Sequence, residues 1–84
     1  MRYRRDRTEI IALILESANM NKITRTRIMY GAVLSPAQLK EYLSLLLESG
    51  LLNYHKEEGV YEITEKGKHF LQIYNQFSKM SLLQ

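Results

Sequence analysis

TRTRIMYGAVLSPAQLKEYLSLLLESG, residues 24–50, holds two helices and the corner that joins them. Its second half carries the plainest signal. Ser35-Pro36-Ala37-Gln38 places a hydroxyl at a cap, a proline at the first helical position, where no N–H is needed, and a Gln at the third, which can bond back to the cap backbone. Leu39, Tyr42, Leu43, Leu46 and Leu47 then fall on one stripe, so this helix turns that stripe toward a core. Ser49-Gly50-Leu51 supplies the stop, with Leu51 able to fold back on Leu46. In the first half a short helix runs from Thr24 or Thr26 through Tyr30, Ile28 and Met29 reach the core, and Gly31 breaks it.

Outward from this pair, Asp6 and Glu9 have capping-box spacing, and Ile10, Ile11, Ile14, Leu15 and Ala18 follow one helical face, which predicts an amphipathic helix to about Ala18. Asn19 to Lys22 end it. Downstream, Leu51 to His55 and Val60 to Thr64 are strand-like runs about the polar turn Lys56-Glu57-Glu58-Gly59, which predicts a β-hairpin. Thr64 can cap a last helix in which Phe70, Ile73, Tyr74, Phe77 and Met80 recur at helical spacing. The order is helix, helix, helix, hairpin, helix: a mainly α fold with a small β-hairpin. At 84 residues, with 45% of them hydrophobic and 25% charged, the chain builds one core, so residues 1–84 are expected to form a single domain with a basic N-terminal arm over 1–7. Such a domain buries only about 60 to 65% of its unfolded surface, and self-association would help it.

Composition narrows the chemistry. There is no cysteine, hence no disulfide framework and no thiolate zinc site. The longest apolar run, Ile10 to Leu15, is far short of the roughly 20 residues a bilayer requires, and with no secretory signal a cytoplasmic protein is expected. His55 and His69 lack metal-ligand spacing. Glu57 and Glu58 sit at a turn tip, where solvent keeps carboxylates ordinary, and the four glycines are scattered rather than grouped into a phosphate-cradling loop. No enzyme and no cofactor are expected. Residues 1–27 hold seven basic against three acidic side chains, +4, whereas residues 28–84 hold five against six, −1. The positive field gathers at Arg2, Arg4, Arg5 and Arg7 and again at Lys22, Arg25 and Arg27, as it would if one end of the molecule met a polyanion, although a solvated tail has the same composition.

Two short helices across a tight corner, followed by a hairpin, have the spacing of a winged helix-turn-helix. That geometry turns the N-terminus of the 35–49 helix outward, where its first turns can enter a major groove. Ala37, Gln38, Lys40, Glu41 and Ser44 lie off the apolar stripe: Gln38 suits adenine, Lys40 a guanine or a phosphate, Ser44 either. Lys56 is the wing's cation, but Glu57 and Glu58 beside it repel phosphates, so the arginine arm is expected to carry more of the affinity.

Residues 27–35 (RIMYGAVLS), with Tyr42-Leu43, Gly50-Leu51-Leu52 and the run from Tyr61 to Gly67, resemble the small archaeal winged-helix DNA-binding proteins, described as chromatin-associated proteins or predicted transcriptional regulators. The resemblance covers about residues 8 to 80. It implies a winged helix whose last helix pairs with a second copy, with Arg27 and Tyr30 supporting the corner or touching the DNA backbone and Ser35 to Ser44 facing the groove.

The expectation is therefore a homodimer that binds double-stranded DNA, as a transcriptional regulator or a nucleoid-associated protein. Its seam would be Phe70, Ile73, Tyr74, Phe77 and Met80 on a helix spanning about 65–82, with Leu71 packing that helix onto its own domain. From Phe70 to Gln84 the one charge is Lys79, too little for a helix surrounded by water. The rival expectation is a protein-interaction module that uses Glu41, Leu45 and Glu48.

Overall fold

Asp6 caps the first helix as its spacing from Glu9 predicts, accepting the Glu9 amide at 2.8 Å, and α1 runs Arg7–Met20. The computed structural model describes the backbone of residues 6–82 and the side chains of residues 6–78, so Arg2, Arg4, Arg5 and the side chain of Met80 lie outside it. Arg7, expected in the arm, is instead the first residue of α1, and its guanidinium lies over the Tyr42 ring at 5.5 Å. Ile10, Ala12, Ile14, Leu15 and Ala18 are buried, while Ile11 is only partly so.

A two-residue strand, β1 (Ile23–Thr24), precedes α2 (Arg25–Ala32), whose cap is Thr24 accepting the Arg27 amide at 3.3 Å. Gly31 does not break α2. The helix passes through it and stops at Val33, which takes a left-handed conformation (φ 53°, ψ 60°) and lets the Leu34 amide bond the Met29 carbonyl at 3.0 Å. Ser35 then opens α3 (Pro36–Glu48) with both bonds of the capping box, Gln38 N–H to Ser35 Oγ at 3.2 Å and Ser35 N–H to Gln38 Oε1 at 3.0 Å. The far end is a Schellman close. Gly50 sits at φ 75°, the Leu51 amide bonds the Leu46 carbonyl at 2.9 Å, and the Gly50 amide bonds Leu47 at 3.1 Å. Leu39, Tyr42, Leu43 and Leu46 are buried as expected, but Leu47 is exposed and Leu45 half-buried, because the burying stripe is narrower than the run of leucines.

The wing is β2 (Leu52–His55) and β3 (Val60–Ile63), with Leu52 opposite Ile63 and His55 opposite Val60. Contrary to the expected bare hairpin, β1 adds to the other edge of β3 and makes a three-stranded antiparallel sheet of order β1-β3-β2. Helix α4 (Glu65–Leu82) begins where Thr64 Oγ1 accepts the Gly67 amide at 3.0 Å and donates to the Gly50 carbonyl at 2.6 Å. Lys66 donates to the Ser49 carbonyl at 2.8 Å, so the start of α4 is fastened to the end of α3. The core gathers Ile14 and Leu15 of α1, Ile28 of α2, Leu39 and Leu46 of α3 and Leu52 of β2, and Leu71 joins it from α4.

Candidate nucleic-acid interface

The outward face of α3 presents Ala37, Gln38, Lys40, Glu41 and Ser44 to solvent, with the exposed Ser35 at its head. Its N-terminus is less open to an anion than the spacing alone implies. Pro36 has no N–H, the Gln38 amide is held by Ser35 Oγ and the Leu39 amide bonds the Ser35 carbonyl at 2.9 Å, which leaves the Ala37 amide. The capping box also commits Gln38 Oε1. Bidentate reading of adenine uses both the amide oxygen and nitrogen, so Gln38 reaches a base edge that way only if the box opens.

Helix α2 contributes Arg25, Arg27 and Tyr30, all exposed. No acidic residue occurs between Ser17 and Lys40, a segment that holds Lys22, Arg25, Arg27 and Lys40. Among the described residues Arg25, Arg27, Lys40 and Lys56 have no ion-pair partner, so their charge is available to a ligand. The charge balance over residues 1–27 cuts this acid-free span in half. Lys22 and Arg27 also edge an open cleft of about 470 Å³ between α1 and α2, together with Ser17, Met20 and Gly31.

At the wing tip the His55 carbonyl accepts the amides of Glu58 at 3.2 Å and Gly59 at 2.8 Å, and Gly59 at φ 68° completes the turn. Lys22 Nζ stands 3.4 Å from Glu58 Oε1, tying the tip to the loop ahead of α2. An exposed pair of this kind adds little stability, but it offsets one of the two wing carboxylates. Behind the tip His55 Nε2 and Glu62 Oε1 are 2.7 Å apart, and the Tyr54 and Tyr61 rings meet across β2 and β3 with centroids 4.7 Å apart and planes tilted by 41°.

The residues expected at the α4 seam divide. Phe70 and Tyr74 are partly buried against the core of their own chain, whereas Ile73 and Phe77 are 53% and 69% exposed. With Thr8 of α1 these four line a cleft of about 200 Å³. Among the described residues no helix is long and apolar enough to cross a membrane, and no group of His, Asp and Glu is placed to hold a metal ion.

A family model described as winged helix-turn-helix matches residues 4–82. The uncharacterized protein MJ0287 of Methanocaldococcus jannaschii is 33% identical over 81 residues, 95% of this chain and 81% of the relative. MJ0290 of the same organism, also uncharacterized, is 33% identical over 69 residues, 82% of this chain but only 32% of its own length. Among solved structures, Sso10a-2, a DNA-binding protein from Sulfolobus solfataricus, has a TM-score of 0.80 at 35% identity, covering 92% of this chain and 82% of that one.

Proposed function

The chain belongs to the winged helix-turn-helix family, and we propose that it binds double-stranded DNA as a homodimer, as a transcriptional regulator or a nucleoid-associated protein of the cytoplasm. One observation carries this reading. Arg25, Arg27 and Lys40 are exposed and unpaired about the α2–α3 corner, in a span without acids, on a fold shared at 35% identity with a protein described as DNA-binding. In this reading α3 enters the major groove, with Lys40 on a guanine or a phosphate and Ala37 and Ser44 beside it. Arg25, Arg27, Tyr30 and the Ala37 amide hold the phosphate backbone, Ser35 and Gln38 keep the start of α3 rigid, and Lys56 reaches the flank. Arg2, Arg4 and Arg5 supply a further sequence-independent attraction. The chain acts as one winged-helix domain without catalytic activity.

Anisotropy titration of a random-sequence duplex between about 50 and 200 mM salt tests it, since each phosphate contact adds about 0.9 to the slope of log affinity against log salt. Lys40→Ala is expected to weaken binding with no change in melting, and the Arg2, Arg4, Arg5 triple alanine variant to lower the slope. Affinity that ignores both salt and these variants favours the protein-interaction reading, for which the exposed Leu47 beside Glu48, rather than the half-buried Leu45, supplies the apolar contact.

A further inference from the structure

Apart from Arg27 at its edge, the cleft of about 470 Å³ between α1 and α2 takes no part in the interface described so far. Its size falls among small-molecule sites, which run from about 300 to 1,000 Å³. Three elements wall it, with Ser17 and Met20 from the end of α1, Ile23 from β1, and Arg27 and Gly31 from α2. Gly31 keeps it open. This glycine is helical, with no left-handed φ to require it, and an added Cβ would meet only Ser17 Oγ, at 3.4 Å. Neither the backbone nor a close approach asks for glycine here, and what its missing side chain leaves is room in the cleft.

The lining says what fits. It includes two cations, Lys22 and Arg27, and no acid. Among the described residues Arg27 has no ion-pair partner, and Lys22 Nζ has only its exposed contact with Glu58 at 3.4 Å, a weak tie. The Thr24 hydroxyl, which accepts the Arg27 amide, keeps its own hydrogen to donate. Beside these donors Met20, 79% exposed, and Ile23 supply apolar surface. Cations alone suit any phosphate, a DNA backbone included, but a concave site with an apolar side favours a ligand that brings an apolar body with its charge. We infer that the cleft is a regulatory site for a small organic anion, a carboxylate or phosphate monoester on an apolar body, whose binding weakens the hold on DNA; this second half rests on the DNA-binding reading above. Arg27 is then engaged by the ligand instead of the DNA backbone, and Lys22, drawn to the same anion, leaves Glu58 to repel phosphates at the wing tip.

Two-dimensional NMR of the full chain tests it, with phenyl phosphate and benzoate as probes against inorganic phosphate and benzyl alcohol at matched ionic strength. At least one of the first two is expected to shift the amides of Asn21, Lys22, Thr24 and Gly31 saturably, about tenfold more tightly than inorganic phosphate, while benzyl alcohol does not. Phenyl phosphate ahead of benzoate assigns a phosphate monoester, and the reverse order a carboxylate. Gly31→Leu, which fills the cleft, is expected to abolish the shifts and leave duplex affinity unchanged. A saturating probe should lower duplex affinity about five- to tenfold in wild type and not in Gly31→Leu. Lys22→Ala, at an exposed side chain, keeps the test standing should Gly31→Leu fail to fold, and is expected to weaken probe binding roughly two- to fivefold. No saturable shift with either probe overturns the inference, as do equal shifts at Lys40 and Lys56, the mark of anions gathering on any cation. Weaker duplex binding by Gly31→Leu, with no probe bound by wild type, gives the cleft to the DNA backbone and overturns it too. Probe binding that leaves duplex affinity unchanged overturns the regulatory role. A wild type that holds the probe but no duplex sinks the DNA reading and leaves the ligand site standing.

Discussion

Gly67 shows how a single missing Cβ sets a helix position. A methyl group there would meet the Leu51 carbonyl oxygen and lie 2.6 Å from Ile63 Cγ1, so α4 lies directly against the sheet only because the residue is glycine. Helix propensity and packing pull in opposite directions. Propensity favours Gly67→Ala by about 1 kcal/mol, whereas overpacking against backbone that cannot yield costs about 1 to 3 kcal/mol and accompanies a shift of the whole helix. Packing is expected to win, with a net loss of up to about 2 kcal/mol in urea unfolding. Gly31 is the control. Its added Cβ would meet only Ser17 Oγ, at 3.4 Å, so Gly31→Ala is expected to be neutral or stabilising by up to about 1 kcal/mol. A Gly67→Ala variant as stable as wild type would show that α4 shifts freely, and the close approach would lose its meaning.

At the scale of elements, what was legible is what local chemistry decides. Both ends of α3 follow from side chains within a few residues, Ser35 with Gln38 at one and Gly50 with Leu51 at the other. The strand β1 was not legible, because two residues cannot display an alternating pattern and Ile23–Thr24 is a strand only through its pairing with β3. The end of α2 was misplaced for a related reason. Glycine is the usual stop, but the stop here is the strained valine two residues on, which no propensity selects. In the candidate site, Arg25, Arg27, Lys40 and Lys56 were legible because long charged side chains seek solvent, whereas the commitment of Gln38 to the cap and of Arg7 to the Tyr42 ring are tertiary or competitive bonds. Ser35→Ala tests the element directly. Loss of a capping hydroxyl costs about 1 kcal/mol, and a melting temperature lower by about 4 °C or more is expected. If melting is unchanged, water replaces the hydroxyl at no cost and the box does not hold α3.

At the scale of the whole molecule the open question is what covers α4. The described residues extend 46 × 28 × 20 Å, and α4, about 27 Å long at 1.5 Å per residue, keeps one flank on the core. Leu71 is buried, and Phe70 and Tyr74 are partly so, which leaves Ile73 and Phe77 outward over the cleft that Thr8 closes. On α1 the exposed Leu13 extends this apolar surface past Tyr74. A helix with an uncovered apolar flank and one charge beyond Phe70 would gain by meeting its own copy, and in the proposed homodimer the two-fold axis of that contact would set the two α3 helices at a fixed separation. If that separation matches one helical turn of DNA, half-sites fall about 34 to 36 Å apart or at a multiple of it. Phe77→Glu is the discriminating variant: the side chain is 69% exposed, so the charge leaves the core intact, yet it places an unpaired carboxylate at the centre of the proposed seam. Sedimentation at tens of micromolar is expected to give a dimer for wild type and a monomer for Phe77→Glu with melting cooperative in both. The monomer should bind one half-site but lose the dependence on half-site spacing, because two sites held by one rigid dimer bind with a high effective concentration that separate monomers lack. Two monomers, or two dimers, would place the covering partner elsewhere, and the same spacing dependence in both proteins would assign it to the DNA rather than to α4.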